Sequence, residues 1–339
     1  MPVPGRPNTL ILMGHDEFEA QFDAARLSRL QQIACVPEPI WTDNLDDPAL
    51  THRVNSVEVL LTGWGAQQLN ADRLQRMPQL HAMIHTAGTI RPLVTPAFWD
   101  RGTRAANVAD ANAVAVAEFT FAAIVMAFKS APFLSARLRQ HPTEWGETGV
   151  FGTLGNRGRT VGVVGFSHVG RRVVSALQRL EGTSVFVYDP YVDSALVEEH
   201  GGRHVDWDTL LTGVDLLTLH VPSLPETQKM VGARDLAKLR DHVTVINTAR
   251  GSVIDTAALE RECVTGRLNA ILDVTDPEPL PSSSQLYRLP NVMITPHIAG
   301  SLGTELYRMT DVALDELERY AAGTPMLNEI SSEDLRLSA

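Results

Sequence analysis

The stretch Val161-Gly162-Val163-Val164-Gly165-Phe166-Ser167-His168-Val169-Gly170 decides how the rest of the chain is read. An apolar, β-branched run, Thr160 to Val164, enters a turn bounded by two glycines and leaves it as a helix beginning near Val169. A strand, a tight turn and a helix N-terminus in that order aim backbone N–H groups at one point, which is how dinucleotide-binding folds hold a pyrophosphate. The middle position of the fingerprint carries Ser167 instead of glycine, so the turn alone is a weak signal. Asp189 supplies the second half of it. This carboxylate ends the next β-like run 24 positions beyond Gly165, close to the offset of roughly 20 at which an acid grips ribose hydroxyls. Pro190 to Ala195 contains no Arg or Lys to pair with a ribose phosphate, which favours NAD over NADP. Gly165, Ser167, His168, Val169, Gly170 and Asp189 are therefore the candidate cofactor contacts.

Outward from this turn the chain keeps a β-α-β rhythm. Thr160 to Val164, Ser184 to Tyr188, Leu216 to Leu219, Val243 to Asn247, Ala270 to Val274 and Val292 to Ile294 are six strand-like runs separated by helical spacings. That is the pattern of a doubly wound domain. Upstream, Thr9 to Met13, Val57 to Leu61 and Ala82 to His85 read as strands and Ala71 to Met77 as a helix stopped by Pro78, so this region is a second parallel α/β layer. The Ala-rich segment Asn112 to Lys129 lacks Gly and Pro and reads as a mostly buried helix, its end marked by Pro132. His141 to Arg159, with Pro142 and five glycines, reads as an irregular connection, and Thr304 to Ala322 as a closing amphipathic helix.

Composition narrows the function classes. The chain has 339 residues, 44% hydrophobic and 20% charged, enough for two domains and a sizeable core. A net charge of −11 speaks against nucleic acid and anionic membrane as partners. Cys35 and Cys263 have no CxxC spacing and read as buried apolar fillers in a reducing compartment. Met1 to Pro7 carries prolines where a signal peptide has a basic region and an apolar core. The most apolar stretch, Ala113 to Phe128, is shorter than a membrane span and contains Glu118. A cytoplasmic protein is the expectation. His200 and His204 have helical spacing, but Gly201 and Gly202 intervene, so no metal site is expected.

Three polar residues follow strand ends, where ligands bind in such a sheet. Arg250 follows the run Val243 to Asn247, Glu278 the run ending at Val274, and His297 the run ending at Ile294. Singly, each has an ordinary alternative: a turn arginine, a solvated acid in a proline-rich loop, a capping imidazole. Together they make an arginine anchor and a carboxylate-tuned histidine, a set suited to protonating a carbonyl beside a carboxylate.

Five segments carry a resemblance. Val163-Val-Gly-Phe-Ser-His-Val-Gly-Arg171, His220-Val-Pro-Ser-Leu-Pro-Glu-Thr227, Asn247-Thr-Ala-Arg-Gly251, Asp273-Val-Thr-Asp-Pro-Glu-Pro-Leu280 and Thr295-Pro-His-Ile-Ala-Gly300 resemble, in order and spacing, the motifs of the D-isomer-specific 2-hydroxyacid dehydrogenases. The resemblance implies two Rossmann-like doubly wound α/β domains: a split, flavodoxin-like substrate domain (1–107 and 301–339) around a central NAD-binding domain (108–300). It implies that Arg250 pairs with the substrate carboxylate and 2-oxo group and that His297 is the acid/base. It implies that Glu278 is the carboxylate partner of that imidazole, an opposite charge that favours its cationic form. By the same resemblance Asp273 holds the nicotinamide carboxamide, Thr248 and Ala249 line the cofactor, Val221 and Pro222 flank its adenine end, and Gly300 is a further cofactor contact. The helix from Asn112 matches the family's interdomain and dimer-forming helix, so a homodimer is implied, with substrate bound in the cleft between domains.

One segment departs from the family. Members usually follow Ala-Gly with a glycine and an Asp-Asn pair, whereas this loop reads Ala87-Gly-Thr-Ile-Arg-Pro92. Ala87, Gly88 and Thr89 are candidate carboxylate contacts through the backbone, and Arg91 is either a second cationic anchor or a structural arginine. The implied activity is NAD-dependent interconversion of a small anionic 2-oxo acid and its D-2-hydroxy acid, with glyoxylate, hydroxypyruvate or a phosphate- or phosphonate-bearing analogue as substrate. The chain ends soon after the closing helix, so an added C-terminal regulatory domain is not expected. A non-catalytic NAD-sensing scaffold of the corepressor type is the alternative from another class.

Overall fold

The structure, a computed structural model, describes residues 5–337. The first four residues of the Met1 to Pro7 segment lie outside that range. One unit of the fold ends at Asn112 and resumes at Ser301, and the other is Ala113–Gly300. The first crossing falls within the helix Ala109–Ala127, five residues beyond the boundary drawn from sequence. Asn112 and Ser301, the residues at the two crossings, are joined by a 2.9 Å hydrogen bond from the Ser301 N–H to Asn112 Oδ1.

The first unit contains β1 (Thr9–Leu12), β2 (Trp41–Thr42), β3 (Val59–Thr62), β4 (Ala82–His85) and β5 (Arg104–Asn107). They run parallel in the order β5-β4-β3-β1-β2, with the strand Glu329–Ile330 antiparallel on the β5 edge. This is the flavodoxin-like order. Period-two alternation sends Leu10, Leu12, Leu60 and Met83 into one apolar layer and Ile11, Leu61 and Ile84 into the other. A sheet covered on both faces needs such continuous apolar strands.

The second unit contains β6 (Thr160–Val164), β7 (Ser184–Tyr188), β8 (Arg203–His204), β9 (Leu216–Leu219), β10 (Thr244–Asn247), β11 (Asn269–Leu272) and β12 (Val292–Ile294). All pairs are parallel, in the order β12-β11-β10-β9-β6-β7-β8. Six strands match the expected runs to within two residues, and β8 is an added edge strand of two residues. The winding reverses between β6 and β9, and ligands in such sheets bind beyond the carboxyl ends at that reversal.

Three expectations need correction. Cys35 is exposed, because it lies outside the sheet edge as a single bridge partner of Asn8; only Cys263 is buried, and burial pushes its thiol up to about 12. The Ala-rich helix begins at Ala109, so at 19 residues it is long and apolar enough to cross a bilayer by length and composition, contrary to the shorter stretch expected. Its Ala117, Ile124 and Ala127 nevertheless pack with Phe166 and Ile246 in the second unit, as in a core helix. Pro132 sits in the first turn of a further helix, Ala131–Gln140, where its missing N–H costs nothing.

The turn after β6 shows why its outer glycines are needed. A Cβ on Gly170 would lie 2.0 Å from the Gly165 carbonyl oxygen, and Gly165 itself has φ +92°. Gly170→Ala is expected to lower the calorimetric midpoint of the second unit by more than about 4 °C, since each kcal/mol lost is worth roughly 2–4 °C in a unit of this size. Gly146→Ala, with open space around the new Cβ, is the control and is expected to leave the midpoint unmoved.

Candidate active site

The side expected to hold the cofactor is built on the turn after β6. The Gly165 N–H donates to the Tyr188 carbonyl (2.9 Å) and the His220 N–H to that of Val164 (2.7 Å), so the ends of β6, β7 and β9 are tied together. A Cβ on Gly165 would press to 2.8 Å on the His220 carbonyl. Burial pushes the His220 imidazole down to about 3, leaving it neutral, with Nε2 3.1 Å from Thr218 Oγ1. Ser167 is the N-cap of the helix His168–Leu177 and makes no side-chain cap bond. The first N–H groups of that helix lie at this end, where a helix favours an anion.

Asp189 is fastened to this turn. The Phe166 N–H donates to its Oδ2 at 2.8 Å and the Tyr191 N–H to its Oδ1 at 2.9 Å. The carboxylate expected to meet a ribose is thus oriented by the glycine turn expected to meet the pyrophosphate. Val221 and Pro222 follow β9 and are half-buried. Beyond β10, Thr248 is buried with its Oγ1 2.9 Å from Thr120 Oγ1, and Ala249 is half-buried.

The side expected to transfer the proton lies beyond β10, β11 and β12. Glu278 Oε1 lies 2.7 Å from His297 Nδ1, and both side chains are about half exposed. A carboxylate accepts only, so Nδ1 carries a proton and Nε2 is the ring nitrogen left to meet a reactant. Arg250 is half-buried; burial pulls its guanidinium below the ordinary value while the charge of Glu278 opposes that shift. A guanidinium stays a cation in proteins, so Arg250 keeps its charge. The three residues separated by 47 positions in sequence therefore share one rim.

Two further residues shape this rim. Asn247 receives the Ala249 N–H on Oδ1 (3.0 Å) and donates from Nδ2 to the Arg250 carbonyl (2.8 Å), which sets the Arg250 turn. Gly251 lies against the chain leading to Glu278, and a Cβ there would fall 2.0 Å from the Thr275 carbonyl carbon and oxygen. Neither was singled out from sequence, although both belong to the Asn247–Gly251 motif. The contact that requires the glycine is with a residue 24 positions away, which no local pattern shows.

Asp273 holds the histidine in place. It is 2% exposed at the end of β11, and its Oδ1 accepts from Thr295 Oγ1 (2.6 Å) and the Ile298 N–H (2.8 Å), its Oδ2 from the Ala299 N–H (2.9 Å). Its carbonyl accepts the His297 N–H at 3.0 Å. These bonds surround His297, whose φ of +55° is a left-handed conformation that a non-glycine residue keeps only when its surroundings impose it. Gly300 follows, half-buried, at the end of the same loop.

In the first unit, the loop after β4 is anchored by Ile90, which is fully buried, while Gly88 and Thr89 are half-buried and Ala87 is buried. The Arg91 side chain is half-buried, and its backbone N–H donates to Thr89 Oγ1 at 3.3 Å. His85, on β4, is buried and pushed down to about 4, with Nδ1 2.9 Å from Thr62 Oγ1. It is a neutral structural histidine. Among the described residues no group of three or more His, Cys, Asp or Glu side chains is placed to hold a metal.

With this geometry, comparison with known proteins gives a family. Residues 121–299 match the family model described as the NAD binding domain of the D-isomer specific 2-hydroxyacid dehydrogenases, and the chain belongs to that family. It is 33% identical over 232 residues, 68% of its length, to a D-3-phosphoglycerate dehydrogenase of Archaeoglobus fulgidus. It is 27% identical over 306 residues, 88% of its length, to a glyoxylate reductase of Thermococcus litoralis, of which it covers 92%. Of the phosphoglycerate dehydrogenase it covers 43%, so the chain spans less than half of that relative's length. The fold is shared with apo D-mandelate dehydrogenase of Rhodotorula graminis, with a TM-score of 0.79 at 23% identity over 96% of this chain and 98% of that one.

Replacing Asp273 tests the loop anchor. Asp273→Ala leaves three donors without their acceptor, each worth about 1–3 kcal/mol when it stays buried, and is expected to destabilise the second unit by roughly 2–4 kcal/mol in urea titrations. Asp273→Asn keeps an acceptor oxygen and is expected to lose less than half as much. Equal stability of Asp273→Ala and the wild type contradicts the assignment.

Proposed function

We propose that the protein is an NADH-dependent reductase of small 2-oxo acids, forming the D-2-hydroxy acid or working in reverse. The observation that carries this reading is the 2.7 Å His297–Glu278 pair on the same rim as Arg250, in the unit whose glycine turn has no space for a Cβ and whose Asp189 is fastened to that turn. Those features fit a dinucleotide. When bound, NADH supplies the hydride.

In this reading the turn Gly165, Ser167, His168, Val169 and Gly170 holds the pyrophosphate, and Asp189 holds the ribose hydroxyls. Val221 and Pro222 flank the adenine, Thr248 and Ala249 line the cofactor, and Gly300 is a further cofactor contact. Asp273 Oδ2, which accepts the Ala299 N–H, offers its second lone pair to the carboxamide. Arg250 presents its planar fork to the substrate carboxylate and 2-oxo oxygen, neutralising charge as it develops there. His297 gives the Nε2 proton to the forming alkoxide, and Glu278 balances the charge of the imidazolium. Ala87, Gly88, Thr89 and Arg91 form a second substrate-contacting loop. A homodimer belongs to the same reading.

A panel of 2-oxo acids assayed with NADH and with NADPH tests the proposal. At least one acid is expected to be reduced, with NADH preferred, and absence of NADH oxidation with every acid overturns the reading. Asp189→Ala removes a charged hydrogen-bond acceptor worth about 1.5–3 kcal/mol and is expected to narrow the NADH preference by roughly tenfold or more. An unchanged NADH to NADPH ratio contradicts the ribose contact.

A further inference from the structure

Glu278 stands on a segment that burial does not hold. Asp276, Pro277, Glu278 and Pro279 are all exposed, and Leu280 is the first buried residue after Val274. Pro277, Pro279 and Pro281 carry no N–H, so the segment has few backbone donors with which to bond its surroundings. It is held through its carbonyls instead. Thr256 Oγ1 donates to the Asp276 carbonyl (2.8 Å), Thr275 Oγ1 to that of Pro277 (2.9 Å) and the Tyr287 hydroxyl to that of Leu280 (3.2 Å). The last two bonds span 2 and 7 positions and stay within the loop's own neighbourhood, whereas the Thr256 bond spans 20 and ties the loop to another part of the chain.

Thr256 has a firm base. It opens the helix Thr256–Val264, whose N-cap Asp255 accepts the Ala258 N–H at 3.0 Å and whose Ala258, Leu259 and Cys263 are buried. Just before it, the Asp255 N–H donates to the Val231 carbonyl (3.1 Å) and the Val231 N–H to that of Val253 (3.1 Å). The segment fixed in this way begins at Arg250, and it meets the Glu278 segment twice. At Gly251 the Thr275 carbonyl and the Asp276 nitrogen leave no space for a Cβ, which sets how near the two segments come. At Thr256 the hydroxyl supplies the attraction that keeps them there. One turn along the helix, Glu260 accepts from Ser284 Oγ (3.1 Å) and the Gln285 N–H (2.9 Å), which fastens the far end of the same loop.

We propose that Thr256 is a positioning residue for the proton transfer, its hydroxyl holding the Glu278 segment where the carboxylate meets His297 Nδ1 and keeping that pair in fixed relation to Arg250. The inference rests on the reductase reading above and adds a residue to that site. Thr256 acts through Glu278 and touches no reactant. A drift of about 1 Å in the loop would carry the 2.7 Å contact between Glu278 and His297 beyond hydrogen-bond range.

The test measures kcat, KM for an accepted 2-oxo acid and NADH affinity by fluorescence in the wild type, Thr256→Val, Thr256→Ala and Thr256→Ser, and repeats Thr256→Val in a Glu278→Ala background. Loss of the hydroxyl in Thr256→Val or Thr256→Ala is expected to lower kcat by about threefold to tenfold, the worth of one hydrogen bond, with NADH affinity unchanged. Thr256→Ser keeps the hydroxyl and is expected to restore most of the rate. With Glu278→Ala already in place, Thr256→Val is expected to cost less than about twofold, since residues that act through one another are not additive. A wild-type kcat in both hydroxyl-free variants, or the same fractional loss with and without the Glu278 side chain, overturns the inference and leaves the reductase reading in place. Absence of NADH consumption by the wild type with every acid of the panel overturns the reductase reading and this inference with it.

Discussion

A single buried carboxylate organises the reactive end of the second sheet. Asp273 leaves β11 with both oxygens engaged by the segment Thr295–Ala299, and its own carbonyl takes the His297 N–H. Three hydrogen bonds to one charged group are stronger and more directional than the same bonds to a neutral one. They hold His297 in a left-handed backbone conformation that its own side chain disfavours, and so set the line along which Nδ1 reaches Glu278. Without that constraint the histidine would be one exposed residue on a short loop.

The same logic recurs at the turn after β6 with different atoms. Asp189 is oriented by the Phe166 N–H, and the Gly165 turn that carries Phe166 is itself bound to β7 and β9. In both places a carboxylate is positioned by N–H groups of a neighbouring strand end, so the parallel sheet transmits its register directly to the groups at its rim. Parallel strands put all carboxyl ends on one side, which is why residues far apart in sequence assemble there.

Much of this was legible in the sequence because parallel strands buried on both faces are written as continuous apolar runs. β6, β7, β9 and β12 were read with their observed bounds. β5 escaped because Arg104-Ala-Ala-Asn107 has no β-branched residue; its strand state comes from pairing with β4 and the strand Glu329–Ile330. β2 and β8, two residues each, are defined wholly by their neighbours. At the site, Arg250, Glu278 and His297 were readable from their place after strands. The anchoring by Asp273 was not, because its partners lie 22 to 26 positions away and two of them are backbone N–H groups that no side-chain pattern marks. The obligatory glycine at position 251 was hidden for the same reason.

In the proposed reaction the imidazole held by Asp273 and Glu278 is the proton donor. Single-turnover mixing of NADH-loaded protein with an accepted 2-oxo acid, wild type against His297→Asn, tests it most directly. His297→Asn is expected to bind NADH like the wild type, by fluorescence, while the rate of NADH consumption falls by at least ~10²-fold, the usual contribution of a positioned general acid. NADH consumption by His297→Asn at the wild-type rate would contradict it.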